Sequence, residues 1–243
     1  MSVNFSESQT KINLMRAFAG ESQARNRYTF AADKAKKMGC YFIYNIFTLT
    51  ANQEKAHAEI FYNHLKNENG GTIFIDNAGY PVDNYDKIED LLKSAQHNEY
   101  EEYEKVYPEF AKIAKEEGFV DVAFSFEKIA EIEKAHGDRF GCFAELIESS
   151  KMFQGDEDTE WMCLNCGNIH KGKLVPKQCP VCQVDQGYFR SVQVLQIYCR
   201  KIRYCRKLKS SPKNYGSDMR ICIAAFLHRI LNRGNAKISI LSV

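Results

Sequence analysis

The sequence predicts an all-α four-helix bundle, followed by a small metal-binding domain and a basic tail that we expect to be disordered. Apolar residues recur at alternating steps of three and four through four long segments, the period of helices that face one another in a bundle. Acidic and histidine side chains interrupt these apolar stripes, and two CxxC pairs follow the helical segments. The predicted domain boundaries are therefore residues 1–152, 153–190 and 191–243.

Composition and charge exclude some classes of protein. The 243 residues are 44% hydrophobic and 26% charged, which is enough for one substantial core and a smaller unit. No run of about eighteen apolar residues occurs, so we expect no membrane span. The amino terminus lacks a basic-then-apolar signal pattern, and we expect a cytoplasmic protein whose nine cysteines are metal ligands or free thiols.

Four helices are predicted, in chain order, over residues 7–38, 41–67, 87–117 and 119–149. Ser6 or Ser8 is suited to cap the first helix, and Gly39 is suited to end it. The connector over residues 69–86 is long enough to cross one end of a bundle. Pro108 removes one backbone hydrogen bond from the third helix, and we expect a kink there. The continuous helical period of this helix predicts that Val106, Phe110 and Ile113 face inward.

Seven polar side chains occupy inward positions where apolar residues would be expected. They are Glu21, Glu54, His57, Glu99, Glu102, Glu133 and His136. A buried carboxylate is costly unless a metal, a counter-charge or a proton accompanies it. The spacing Glu-x-x-His occurs twice, and side chains three residues apart on a helix can reach one ion. Glu21 alone has an alternative, an ion pair with Arg25 on a solvated face.

This set matches the ligands of di-metal carboxylate bundles. Such bundles take one Glu from each of two helices and a Glu-x-x-His pair from each of the other two, and this chain has that set plus one extra acid. Carboxylate oxygen combined with imidazole nitrogen suits iron or manganese better than zinc or calcium. The sequence therefore predicts a two-metal site within the bundle.

A second metal site is predicted near residue 170. Four cysteines are spaced as CxxC, twelve residues, CxxC, at Cys163, Cys166, Cys179 and Cys182. Each pair can present two thiolates to one tetrahedral ion, although the spacing does not separate iron from zinc. The aromatic core offered by Trp161, Tyr188 and Phe189 is larger than a zinc ribbon needs. An iron held by these cysteines could also exchange electrons with the two-metal site of the same chain. Both observations favour iron.

Several segments together resemble the rubrerythrin family. Those in the helices are AGESQARNRY (19–28), NQEKAH (52–57), NEYEEYEKVYPEF (98–110) and IEKAHGDRF (132–140). WMCLNCG (161–167) and CPVCQVDQGYF (179–189) resemble the carboxy-terminal domain of the same family. The resemblance covers about residues 5–190.

The resemblance implies a ferritin-like bundle with a rubredoxin-like domain, acting as a non-haem iron peroxidase in oxidative stress defence. Hydrogen peroxide would be reduced to water with electrons from NAD(P)H, delivered by a rubredoxin or a reductase. The implied cofactors are an oxo- and carboxylate-bridged di-iron centre and one iron held by four cysteines. A head-to-tail homodimer or larger homo-oligomer is the family expectation.

Residue roles follow from the resemblance. Glu54 and Glu133 would bridge the two irons. The terminal ligands would be Glu21 on one iron and, on the other, Glu99 and His136. Glu102 and His57 would be alternative ligands that exchange with the oxidation state, so the implied catalytic set is Glu54, His57, Glu102 and Glu133. Tyr28 and Tyr107 would donate hydrogen bonds to the ligands.

Two other functions stay open, and both concern the metals or the tail. The bundle could handle iron as a ferroxidase that uses oxygen, although storage needs no cysteine-bound electron carrier. A zinc ribbon with the basic tail could instead bind nucleic acid. Residues 190–243 hold twelve Lys or Arg and one acidic residue, a net charge of +11. Residues 191–243 extend beyond the family's usual end and could bind an acidic surface, dock on the bundle or have no selected function. We expect no nucleic-acid partner.

Overall fold

The computed structural model describes residues 3–193, which fall in two compact units, Met1–Met152 and one that begins at Phe153. The predicted disordered tail lies outside the described residues, apart from its first three. None of the helices in the described part of the chain is both long and apolar enough to cross a membrane.

The first unit is a four-helix bundle, as predicted. Its helices are α1 (Gln9–Lys37), α2 (Tyr41–His64), α3 (Ile88–Glu101), α4 (Tyr107–Glu116) and α5 (Val120–Glu148). A π-helical turn, Glu102–Val106, joins α3 to α4, so these two helices form the third rod of the bundle. Helix α1 packs along α2, and both α3 and α4 pack on α5.

Both ends of α1 are closed by side-chain or backbone hydrogen bonds. Ser8 caps the first turn by accepting a hydrogen bond from the N–H of Lys11 at 3.1 Å. At the other end, Gly39 adopts a φ of 73°, a left-handed conformation that glycine reaches without strain. The N–H of Cys40 then reaches the carbonyl of Ala35 at 2.9 Å, which ends the helix.

The carboxylate of Glu117, just after α4, adds a second cap to α1. It accepts hydrogen bonds from the N–H of Gln9 at 2.9 Å and from the N–H of Thr10 at 2.8 Å. The Thr10 hydroxyl donates to the same carboxylate at 2.5 Å. A negative charge at a helix amino terminus is stabilising, so this contact ties the third rod to the start of the first.

Aromatic layers lie on both sides of the middle of the bundle. On one side the ring of Phe61 packs 4.9 Å from that of Phe126, centre to centre. On the other side Phe140 packs 5.1 Å from both Phe47 and Tyr28. The inward polar residues of α5 fall between Phe126 and Phe140 in sequence, so the bundle holds a polar layer between two aromatic layers.

The inward face of the third rod changes register at the π turn. There the N–H of Tyr107 bonds to the carbonyl of Glu102, five residues earlier. Such a turn inserts one extra residue into the helix and shifts every later side chain around its axis. The residues buried after it are Tyr107, Ala111 and Ala114.

The most buried positions from the end of the turn onward therefore lie one residue later than predicted. Val106, Phe110 and Ile113 are half-buried, although Val106 and Phe110 still pack against the core. The irregularity predicted at Pro108 takes the form of the π turn directly before it, and Pro108 itself lies in the first turn of α4, where a missing N–H is tolerated.

Arg25 does not belong to the inward face of α1. Arg25 is exposed, and Ala24 takes the inward place between Glu21 and Tyr28. Glu21 is fully buried, so the alternative in which it pairs with Arg25 on a solvated face is wrong.

Two glycines on α5 set its close approach to α3. A Cβ atom built at Gly137 would lie 2.7 Å from Cε1 of Tyr100, and one at Gly141 would lie 2.2 Å from Nε2 of Gln96. Contacts this short do not occur between real atoms, so a methyl group added at Gly137 would displace the Tyr100 ring, and one added at Gly141 would displace the flexible Gln96 amide.

The second unit is built around a three-stranded antiparallel sheet of order β2-β1-β3. The strands are β1 (Glu160–Cys163), β2 (Ile169–Lys171) and β3 (Phe189–Ser191). Trp161 in the central strand pairs with His170 on one side and Ser191 on the other. Its ring packs with Val175 and Phe189 in a small core, and its N–H donates to the carbonyl of Gly172 at 2.8 Å.

Candidate metal centres

The bundle brings six of the seven predicted ligands into one buried layer. Their ligand atoms form two overlapping groups in which all atoms lie within 4.8 Å of one another. The first group is Glu21, Glu54, His57 and Glu133, and the second is Glu54, Glu99, Glu133 and His136. No member is more than 5% exposed.

Glu54 and Glu133 belong to both groups and divide their oxygens between them. His57 Nδ1 lies 2.8 Å from Oε1 of Glu133 and 3.1 Å from Oε2 of Glu54. His136 Nδ1 lies 2.7 Å from Oε2 of Glu133 and 3.0 Å from Oε1 of Glu54. The two imidazole rings are nearly parallel, with centres 5.6 Å apart. Each carboxylate therefore spans two neighbouring positions for a cation.

The outer carboxylates are held by tyrosines from the opposite rod. The hydroxyl of Tyr107 donates to Oε1 of Glu21, and the hydroxyl of Tyr28 donates to Oε1 of Glu99. In each case the second oxygen faces a histidine, at 3.7 Å from Nδ1 of His57 for Glu21 and 3.5 Å from Nδ1 of His136 for Glu99. The hydrogen-bonding roles expected of both tyrosines are thus present.

Burial changes the pKa values of the carboxylates in this layer. Burial raises the pKa of Glu21 far above its ordinary value, and the neighbouring carboxylate of Glu133 adds to the effect. Burial likewise raises the pKa of Glu99 to about 8, with Glu54 adding to it. Without a cation between them, these carboxylates would hold protons at neutral pH.

The central pair behaves differently because both histidines face it. Burial alone would raise the pKa of Glu133, but the imidazoles of His57 and His136 lower it below the ordinary carboxylate range. The pKa of Glu54 is lowered as well, chiefly by His136. The pKa values of the two histidines are raised in return, against the lowering effect of burial.

Polar atoms without partners show that this layer fits metal ions. The unpartnered buried atoms include Oε2 of Glu21 and of Glu99, both carboxylate oxygens of Glu133 and both ring nitrogens of His136. Several lie within 3 Å of one another but lack the angles of hydrogen bonds. Four carboxylates and two imidazoles that converge in this way form the donor set of a di-metal carboxylate site.

Glu102 lies outside both groups. It belongs to the π turn and is half-buried, unlike the six residues of the layer. Its pKa is raised well above the ordinary value by burial and then by the nearby carboxylates of Glu21 and Glu99. It is therefore close to the layer without being part of it.

The four cysteines of the second unit come together as predicted. The sulfur of Cys163 lies 3.7 Å from that of Cys182, and the sulfur of Cys166 lies 3.6 Å from that of Cys179. These separations are far longer than a disulfide bond of about 2 Å. They match the edge of a tetrahedron around an ion with metal–sulfur bonds of about 2.3 Å.

The loops that carry the cysteines favour a thiolate at Cys182. Hydrogen bonds from the Asn165 side chain and the N–H of Val184 lower the pKa of Cys182 to about 6. Cys163 is buried, and burial raises its pKa to about 12. A bound cation would overcome the second effect, since a coordinating thiol loses its proton.

The fold and the two sites define a ferritin-like di-iron protein with a rubredoxin-like iron domain. The rubrerythrin family profile matches residues 13–143, and the profile described as the rubredoxin-like domain of rubrerythrin matches residues 161–190. The chain belongs to the rubrerythrin family. The prediction of a di-iron site and a four-cysteine iron site is confirmed, and the family places the chain among the iron proteins of oxidative-stress defence.

Known relatives match about three quarters of the chain. Rubrerythrin-1 of Clostridium acetobutylicum is 45% identical over 182 residues, which are 74% of this chain and 93% of the relative. Rubrerythrin of Nitratidesulfovibrio vulgaris is 40% identical over 75% of this chain and 93% of the relative. A solved structure of fully reduced, all-ferrous nigerythrin is 28% identical, with a TM-score of 0.51, over 78% of this chain and 94% of that one.

One buried cation beside the layer was missed by the sequence reasoning. Arg139, one turn after His136, donates to the hydroxyl of Thr50 at 2.7 Å and to the side chain of Gln53 at 2.9 Å. These hydrogen bonds tie α5 to α2, where Thr50 lies one helical turn before Glu54. An arginine three residues after an inward histidine was the available signal.

Proposed function

We propose that this chain is a non-haem di-iron peroxidase that reduces hydrogen peroxide to water. Electrons would come from an NAD(P)H-linked donor, such as a rubredoxin or a reductase, through the four-cysteine iron. One observation carries the proposal: two carboxylates, Glu54 and Glu133, are each shared between two adjacent cation positions, in a chain that also carries a four-cysteine iron site.

The ligand roles follow the two groups of the buried layer. Glu54 and Glu133 would bridge, Glu21 and His57 would complete one position, and the second position would be completed by Glu99 and His136. When bound, two ferrous ions can supply the two electrons that hydrogen peroxide requires and polarise its oxygens as Lewis acids. The residues of the chain would orient hydrogen peroxide, exclude water from the layer and control the movement of protons.

Proton control falls to groups around the layer. Reduction of hydrogen peroxide to two waters consumes two electrons and two protons. Burial raises the pKa values of Tyr28 and Tyr107, so both stay protonated and keep donating to the outer carboxylates. Glu102 has a raised pKa and reaches the surface, which suits it to carry protons toward the layer.

We propose that His57 and Glu102 exchange as ligands with the oxidation state. His57 is within the first group, whereas Glu102 stands outside it on the adjacent π turn. A neutral imidazole suits a ferrous ion, and a carboxylate suits the more highly charged ferric ion. Crystal structures of the reduced and oxidised protein should differ at these two side chains, and unmoved ligands would contradict the exchange.

We propose that electrons pass between two chains. Glu133 lies fifteen residues before Glu148, the last residue of α5, so about 22 Å of helix follow the metal layer. We propose a head-to-tail homodimer, or a larger homo-oligomer, in which the cysteine unit of one chain serves the bundle of another. Dilution to monomer should then abolish turnover with the metal retained, and full turnover by the monomer would refute this arrangement. A cytoplasmic location, with thiols kept reduced, is part of the same proposal.

Steady-state turnover tests the function. Iron-loaded protein with a reduced rubredoxin and an NAD(P)H-linked reductase should consume the nicotinamide in step with hydrogen peroxide under anaerobic conditions. Glu133→Ala should lose di-iron binding and turnover together, whereas the exposed Glu145→Ala on the same helix should change neither. Ferrous oxidation by oxygen without peroxide turnover would instead indicate a ferroxidase.

A further inference from the structure

A polar cleft of about 600 Å³ opens on the side of the bundle. Its walls are α1, residues 77–81 of the connector, and the π turn with the start of α4. Asn13 and Gly20 line it from α1, Tyr80 from the connector, and Glu102 and Tyr107 from the third rod.

The inner end of the cleft lies one side chain away from the metal layer. Tyr107 lines the cleft and donates its hydroxyl to Glu21. Glu102 lines it too and is half-buried, whereas the six residues of the layer are nearly or fully buried. Among the described side chains near the layer, Glu102 therefore links the buried carboxylates to solvent.

The outer wall is part of the connector, residues 76–80, and two hydrogen bonds hold it on α1. The guanidinium of Arg16 donates to the carbonyl of Asp76 at 2.7 Å, and the Tyr80 hydroxyl donates to the carbonyl of Arg16 at 3.0 Å. The Tyr80 ring stands over Gly20, since a Cβ built at Gly20 would lie 3.6 Å from Cε1 of Tyr80. The tyrosine ring therefore packs close to this part of α1, with no side chain of residue 20 between them.

The lining is suited to a hydrated solute. The amide nitrogen of Asn13, a residue only 1% exposed, is buried without a hydrogen-bond partner, and so is Nε of Arg16. Buried polar atoms without partners are costly unless water or a polar solute meets them. Polar side chains such as Gln23, Asn98 and Glu109 also line the cleft, which suits it to hydrated solutes.

We propose that this cleft is the entrance through which small polar solutes reach the metal layer, and that Tyr80 limits their size. Hydrogen peroxide would be the reacting solute, a step that rests on the proposed peroxidase function. Metal ions that load the layer would take the same route.

A pair of tyrosine variants tests the size limit. Tyr80→Ala removes the ring and the tether, and Tyr85→Ala is the matched control, a connector tyrosine of similar exposure outside the cleft. The measurement is the second-order rate of oxidation of the reduced protein by tert-butyl hydroperoxide and by hydrogen peroxide. The ratio of the two rates should rise about tenfold in Tyr80→Ala and stay unchanged in Tyr85→Ala. An unchanged ratio in Tyr80→Ala, or an equal change in both variants, overturns the proposal.

A pair of glycine variants tests the route without peroxide chemistry. Gly20→Ala adds a methyl group that fits at ordinary contact distance, whereas Gly20→Leu extends into the cleft. Uptake of Co²⁺ by the chelated protein at pH 6, followed by absorbance, should be about tenfold slower in Gly20→Leu than in Gly20→Ala, with equal final cobalt content. Equal uptake rates would refute the entrance. If no form of the protein reacts with peroxide, the peroxidase proposal fails while cobalt uptake still decides the route.

Discussion

Removal of iron should make the stability of the bundle depend on pH in a defined direction. Glu99 has a pKa of about 8 in the folded protein against an ordinary value of 4.5, so folding binds a proton to it between those values. A group that binds more protons when folded loses its stabilising effect as the pH rises. Glu21 acts in the same direction.

The size of the effect follows from the proton count. One excess proton corresponds to about 1.4 kcal/mol per pH unit, so Glu99 alone should remove roughly 3 kcal/mol between pH 5 and pH 7. Glu21 and Glu102, whose pKa values are also raised well above the ordinary value, add to the fall. Glu54 and Glu133 have lowered pKa values and complete their ionisation below pH 5, so they add no slope in this interval. The histidines, with raised pKa values, add to the fall only above about pH 6.5.

Urea unfolding of the bundle, followed by helical circular dichroism at pH 5, 6 and 7, measures this slope. Chelated protein should lose stability steadily across the series, and iron-loaded protein should not. Glu99→Gln, which cannot titrate, should reduce the slope of the chelated protein by about 1.4 kcal/mol per pH unit. A flat or rising profile for the chelated protein would refute the electrostatic reasoning about the buried layer.

Three further predictions concern packing, capping and the cysteine site. Gly137→Ala should cost about 1–2 kcal/mol in urea unfolding, because its methyl group meets a tyrosine ring, and Gly141→Ala should cost less, because it meets a flexible amide; the reverse order would contradict this packing. Glu117→Gln should destabilise the bundle by about 1 kcal/mol at pH 7 and by less at pH 3, since hydrogen bonds from Thr10 lower the pKa of that carboxyl and the stabilisation is lost as the pH falls through it; equal costs at both pH values would count against the cap. Cys166→Ser should remove one iron of three and the ferric-thiolate absorption while the bundle keeps its two irons, and loss of all three would show that the sites do not load independently.

The metal layer could be predicted because its signal is local and strong. Acids and histidines in an apolar stripe are rare, and two Glu-x-x-His pairs indicate a metal site before any packing is known. Periodicity alone does not single out Glu54 and Glu133 as the shared residues, a role that the family resemblance implies, because sharing depends on how α2 and α5 face each other.

The third rod shows where sequence periodicity fails. A period carried through the segment assumes one hydrogen-bonding pattern throughout, and the π turn at Glu102–Val106 breaks that assumption. The pattern gives no direct sign of an extra residue, since both Phe110 and Ala111 are acceptable inward. The same turn sets Glu102 apart from the layer, although its i, i+3 spacing from Glu99 predicts a shared face.

Iron-edge anomalous diffraction from crystals of iron-grown protein tests the central claim most directly. We expect two anomalous peaks in the bundle, each contacting both Glu54 and Glu133, and a third peak among the four cysteines. A bundle without anomalous peaks between those two carboxylates, or with a single peak there, would contradict the account.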